Sequence, residues 1–247
     1  MKKQWISILA LLMIMPFAAT AQKLRIAVAA NAQFVAGVLA KAFKQQTGIK
    51  AELIVGSSGK LTAQIEQRAP FDAFLSADMK YPQELFDKGF TTGKPKVYAY
   101  GALVVWSKQP LKAGLASLKE NEFRKVAIAN PALAPYGEAA MQALKKLKLA
   151  DDLQPKIVYG ESVAQVNQYL LTGAVDAAFT AKSVVFEPAQ KSIGAWTEVS
   201  NKLYRPIAQG VVIIKPAAGK NSKYAQAFYN FLFSAKAKQI FKQYGYR

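Results

Sequence analysis

Short apolar runs of strand length alternate with helical repeats along most of this chain, and that alternation restricts its fold more than any other feature. Leu24–Ala29 (LRIAVA) is a strand pattern, after which Phe34, Val35, Val38, Leu39 and Phe43 recur at helical spacing as far as Thr47-Gly48. Ala51–Val55 is a second strand, Leu61 and Ile65 mark a helix reaching Arg68, and Ala73–Ser76 is a third strand. Another series opens at Leu103–Trp106 and continues through Val126–Ala129, a helix over Gly137–Lys148, Ile157–Tyr159, a helix over Ser162–Leu171, and Ala177–Thr180. Gly210–Ile214 is a β-branched strand, followed by helices over Ser222–Ser234 and Lys236–Gln243. Strands separated by helices pair in parallel through right-handed crossovers, so the expectation is an α/β protein. Turn-rich joins near Tyr98–Gly101 and Pro206–Gly210 separate the two series.

The first residues follow a different order. Lys2 and Lys3 precede an apolar run from Trp5 to about Phe17 and then Ala19-Thr20-Ala21, the pattern of a secretory signal peptide over residues 1–21. The mature chain is then expected to start at Gln22, outside the cytoplasm, and no later segment is long and apolar enough to span a bilayer.

The chain has no cysteine and no histidine. Disulfides, thiolate nucleophiles, Cys/His zinc sites and Ser-His-Asp triads are therefore impossible. No carboxylates are spaced as an acid–base pair, so no catalytic residue is assigned and an enzyme is not expected. The formal charge is +18, from 33 Lys and Arg against 15 Asp and Glu, with Lys2 and Lys3 supplying two of the excess. The lysines are scattered over helix faces (Lys41, Lys44; Lys145, Lys146, Lys148; Lys236, Lys238, Lys242). That distribution reads as solvated surface rather than a nucleic-acid tract, although a polyanion-binding envelope protein stays open as a different class.

Open parallel sheets hold ligands beyond the carboxyl ends of their strands, where loops meet helix N-termini. Four such junctions are legible: Ala30-Asn31, Ser57-Ser58-Gly59, Ala134-Pro135-Tyr136-Gly137 and Glu161-Ser162-Val163. The second lies in VGSSGKL, which is not a nucleotide loop, because only two residues separate its glycines and Leu61 stands where Mg²⁺ needs a hydroxyl. Free backbone N–H groups ahead of a helix remain suited to a smaller anion. Each position also has an ordinary structural reading. Asn31 and Ser58 are good helix caps, Tyr136 between Pro135 and Gly137 fits a turn, and Val163 has only its backbone N–H to offer.

The runs VAANAQF, GSSGKL with AQIEQRAPFDAFLSAD, YAYGALVVWS, ANPALAPYGEAA, GESVAQVNQYLLTGAVDAAF, YRPIAQGVVI and the terminal YGY resemble, in that order, periplasmic molybdate-binding proteins. These are the solute receptors of molybdate ABC importers, and the resemblance covers essentially the whole mature chain. It implies a two-lobed type II periplasmic binding fold, each lobe a mainly parallel sheet flanked by helices. One lobe would comprise residues 22–100 plus 212–247 and the other residues 101–211, joined by hinges.

The resemblance also implies that molybdate, and tungstate with it, is held as a tetrahedral oxyanion by Asn31, Ser58, Tyr136 and Val163, with a backbone N–H at Ala30 as a further donor. No cofactor and no directly coordinated metal is implied. The membrane permease is the expected partner, and the receptor itself would be a monomer. Some positions depart from the family pattern. Many members have a serine where this chain has Asn31, some that carry the asparagine have a threonine where it has Ala30, and the stretch where many members carry a tyrosine hydroxyl reads Ala178-Phe179-Thr180-Ala181. These departures leave another oxyanion, sulfate or phosphate, as the alternative on the same fold.

Overall fold

The computed structural model describes residues 23–190, 192–215 and 222–247, so the expected signal peptide and its cleavage point at Gln22 lie outside the described residues. The first half begins with β1 (Leu24–Ala29), α1 (Gln33–Thr47), β2 (Ala51–Gly56), α2 (Ser58–Glu66), β3 (Ala73–Leu75), α3 (Lys80–Asp87) and β4 (Lys96–Gly101). The second half holds β5 (Leu103–Ser107), β6 (Val126–Ala129), α4 (Pro135–Lys146), α5 (Ala150–Leu153), β7 (Ile157–Gly160), α6 (Val163–Leu171), β8 (Ala177–Ala181), α7 (Lys182–Val185) and β9 (Ala195–Glu198). The chain then returns to the first sheet as β10 (Ile207–Ile213) and ends in α8 (Ser222–Leu232) and α9 (Ala235–Gln243).

The two sheets share one layout. Their strand orders are β2-β1-β3-β10-β4 and β7-β6-β8-β5-β9. In the first, β1 pairs in parallel with β2 and β3, whereas β10 runs antiparallel between β3 and β4. In the second, β6 pairs in parallel with β7 and β8, whereas β5 runs antiparallel between β8 and β9. Each sheet is therefore mixed, four of its strands running one way as a mainly parallel layout requires and the fourth in order reversed. The reversed strands enter by crossing from the other sheet, and such a crossing leaves no helix to turn the chain back to parallel.

Two expected joins are also strands. Lys96–Gly101 is β4, and β10 begins at Ile207, so residues 207–211, placed by the sequence with the second half, are hydrogen-bonded into the first sheet. The ladder slips between Gln209 and Gly210, and a glycine inside a strand commonly marks such a bulge. Helix ends follow local chemistry. Gly48 closes α1 at φ 74 with its N–H on the Lys44 carbonyl, which a side chain with a Cβ adopts only at a cost. Pro135 opens α4 at the position where a missing N–H costs nothing.

Apolar residues fill both faces of the sheets. Leu24, Ile26 and Val28 pack with Leu39 and Phe43 of α1 and with Phe228 and Phe241 of the last two helices. On the other face of the first sheet, Ala27 and Phe74 meet Leu61, Ile65 and Leu85. The core of the second half, built on Val104, Ile128 and Phe179, extends without a break to Ala29, Ala30 and Ala77 of the first half. The two halves thus meet at the carboxyl ends of β1 and β3.

Candidate functional site

At that meeting point lies a cavity of about 10 Å³, lined by Ala29, Ala30, Asn31, Ser57, Ser58, Ala77, Ala134, Pro135, Tyr136 and Val163. That is about the space of a single water molecule, far too little for a nucleotide. The five residues singled out from the sequence, Ala30, Asn31, Ser58, Tyr136 and Val163, all line it, and all are buried. No charged side chain lines it.

Helix starts supply its donors. Ala30–Ala32 forms a short 3-10 turn directly after β1, and Ser58, Tyr136 and Val163 stand in the first turns of α2, α4 and α6. Backbone N–H groups in a first turn have no acceptor within their own helix, and the helix dipole adds partial positive charge there. Three N-termini of full helices thus converge on one buried space, an arrangement that favours an anion without any cation.

The side chains correct the simpler readings. Ser57, not Ser58, caps α2, its Oγ accepting from the Lys60 N–H at 3.4 Å. The Ser58 Oγ instead accepts the Ala77 N–H at 3.0 Å, which leaves its own proton to donate. Asn31 caps nothing, since the residues ahead of the 3-10 turn and of α1 are Ala29 and Ala32. Its Nδ2 donates to Gln209 Oε1 at 3.0 Å, and its carbonyl accepts from Ser183 Oγ at 2.7 Å and from the Tyr246 hydroxyl at 3.4 Å. Tyr136 is helical rather than part of a free turn, and its hydroxyl accepts from Gln209 Nε2 at 3.1 Å. Thr180 does not line the cavity; it is fully buried in β8 and its Oγ1 has no partner. The hydroxyls at this site therefore come from Ser57, Ser58 and Tyr136.

Lys60 has no phosphate-loop role either. Its Nζ meets Glu161 across the two halves at 2.8 Å, both side chains about half exposed, a pair worth at most about 1 kcal/mol. Besides the Ser183–Asn31 and Gln209–Tyr136 bonds, the halves are joined beside the cavity by Gly59 N–H to the Leu133 carbonyl at 2.9 Å and by the Tyr81 hydroxyl to the Ala132 carbonyl at 3.0 Å. Gly59 is required at its contact, because a Cβ there would fall 2.9 Å from the Tyr81 hydroxyl and 3.1 Å from Leu133 Cα.

Sequence reasoning missed Ala77 and Gln209. Ala77 follows the third strand, where the same strand-end rule would have found it. Gln209 is buried behind the cavity within a stretch read as a join.

Burial holds the phenols of Tyr98 and Tyr136 neutral well above their usual range and pushes that of Tyr246 up to about 12. A raised phenol retains its proton in the folded state after the unfolded chain has lost it, so stability is complete below pH 10 and declines as pH rises through that value. Each such phenol removes about 1.4 kcal/mol per pH unit in that window. Thermal melts from pH 9 to 11.5 should show a steep fall beginning near pH 10; a flat profile would contradict the burial of these hydroxyls.

Comparison with known proteins places this geometry in a family. A family model described as bacterial extracellular solute-binding protein matches residues 24–247. The chain belongs to the bacterial extracellular solute-binding proteins. Members of this family bind solutes and are not enzymes. The molybdate-binding protein ModA of Azotobacter vinelandii is 39% identical over 232 residues, 93% of this chain and 91% of that protein. The ModA of Rhodobacter capsulatus is 36% identical over 240 residues, 96% of this chain and 93% of that protein. The solved periplasmic molybdate-binding protein of Azotobacter vinelandii superposes with a TM-score of 0.85 at 37% identity, covering 91% of this chain and 99% of that one. Its periplasmic binding fold, two mixed sheets with flanking helices, is the fold of this solute-binding protein.

Proposed function

We propose that this protein captures molybdate, and tungstate with it, in the cavity between its two halves and delivers it to the permease of an ABC importer. The observation that carries this reading is the convergence of three helix N-termini, with Ser58 and Tyr136 among the lining residues, on a buried space lined by no charged side chain. A tetrahedral dianion offers only acceptors, and each charge-assisted hydrogen bond from a neutral donor contributes about 1.5–3 kcal/mol. Asn31, Ser58, Tyr136 and Val163, with the backbone at Ala30, are the residues we assign to it.

The metal enters as its oxyanion, which is cargo and not a cofactor. Sulfate has the same shape and charge, so selection against it rests on cavity size, and molybdate and tungstate are too alike in size to be separated. The two halves act as lobes that close on the ion, and the closed form is what the permease recognises. We place the mature monomer in the periplasm. Among the described residues no helix is long and apolar enough to cross a membrane.

The test is a series of thermal melts on protein unfolded and refolded to strip its ligand, in buffer alone and with molybdate, tungstate, sulfate or phosphate. Free ligand at about a thousand times its dissociation constant adds about 4 kcal/mol of stability. We expect large upward shifts with molybdate and tungstate only. A shift with sulfate or phosphate instead would overturn the ligand, and no shift with any of them would overturn the oxyanion site.

A further inference from the structure

Charge is sparse around the cavity and unevenly placed. Within two residues of a lining position the sequence carries three carboxylates, Asp78, Glu138 and Glu161, but one cation, Lys60. An approaching anion is therefore favoured near Lys60 and opposed near the other three. Lys60 stands in the first turn of α2, two residues beyond Ser58, and Glu161 stands two residues ahead of Val163, at the entry to α6. The two belong to different halves, and their charged ends meet at 2.8 Å across the boundary.

The main chain at both positions is already engaged. The Lys60 N–H donates to the Ser57 cap and the Glu161 N–H to Gln165 Oε1, so what each residue brings to the site is the charge at its side-chain end. Both ends are about half exposed, which makes the pair a weak clasp. Its consequence lies in the parting of the halves. Lys60 is then a free ammonium beside the Ser58 end of the site, and Glu161 a free carboxylate beside the Val163 end. A dianion is drawn to the first half and held off the second. When the halves meet with the ion between them, ammonium and carboxylate cancel, and the seated ion is left with neutral donors.

We propose that Lys60 sets the rate and order of capture and that Glu161 limits how tightly the ion is held, a division of roles that rests on the oxyanion reading of the cavity. The ion seats first on Asn31 and Ser58 under the pull of Lys60, and the second half closes over it. Without Glu161, the ammonium would stay uncompensated beside a seated dianion and would delay its release. A carrier that must hand its cargo on is served by a cation that attracts in the open form and is silenced in the closed one.

The experiment compares wild type, Lys60→Gln, Lys60→Arg and Glu161→Gln by calorimetric titration with molybdate at low and high ionic strength, with capture rates from rapid mixing and filtration of radiolabelled molybdate. Both side chains are half exposed, so melts of the ligand-free variants should stay close to wild type. In Lys60→Gln the dissociation constant should rise about fivefold at low ionic strength, through slower capture, and Lys60→Arg should restore it. In Glu161→Gln it should fall about threefold. High ionic strength should shrink both changes, because exposed charges are screened. A clasp alone gives the opposite pattern: each substitution breaks the same ion pair, so both weaken binding and neither slows capture. A dissociation constant or capture rate unchanged in Lys60→Gln, or a dissociation constant unchanged or raised in Glu161→Gln, overturns the proposal. Failure of wild type to bind molybdate overturns the oxyanion reading instead.

Discussion

Replacing Gly137 with alanine lowers the unfolding free energy of the ligand-free protein by about 3 kcal/mol, the upper end of what overpacking costs. A Cβ at Gly137 would lie 1.8 Å from the Ala129 carbonyl oxygen and 2.7 Å from its carbon. Both atoms are backbone at the end of β6, so no change of rotamer relieves the contact and α4 itself has to move. Tyr136 precedes Gly137 on the same turn, and its displacement should also reduce the stabilisation that molybdate confers. Urea unfolding with and without molybdate measures both effects; an unchanged midpoint would show that α4 does not rest on β6 as described.

The second large effect is on binding alone. Ser58→Ala should raise the dissociation constant for molybdate about 10- to 100-fold, the loss of one charge-assisted bond. It also leaves the buried Ala77 N–H without its acceptor, at a cost of about 1 kcal/mol in the ligand-free protein. Ser57→Ala removes the cap of α2, with a similar loss of stability but a much smaller loss of affinity. Equal losses of affinity in the two variants would remove Ser58 from its assigned role.

Much of this was legible in the sequence, because the decisive signals are local. The strands Leu24–Ala29 and Val126–Ala129 stand where their apolar runs place them, and α1 stops at Thr47-Gly48. The four strand-end junctions converge because the rule that selects them is topological and tolerates errors of one or two residues. What the sequence concealed depends on distance. The direction of β5 and β10 is a property of the whole sheet, and a run such as GVVII pairs equally well either way. The strand β4 was hidden because its glycine and tyrosines resemble turn chemistry. Two adjacent serines compete for one cap, and only the position of Ala77 decides between them. Gln209 contacts residues 178, 111 and 73 positions away, and no local spacing encodes such a cluster.

The predicted site residues are all buried, and bonds between the halves surround them, among them Gly59–Leu133, Tyr81–Ala132, Lys60–Glu161, Ser183–Asn31 and Gln209–Tyr136. An ion seated among them would leave most readily when the halves part. Its escape rate should therefore follow the frequency of that parting, and should be insensitive to how much free ion is outside. A receptor of this construction works as a timer: loosening Gly59–Leu133 or Tyr81–Ala132 would shorten the dwell of the cargo before it altered how fast the cargo is caught.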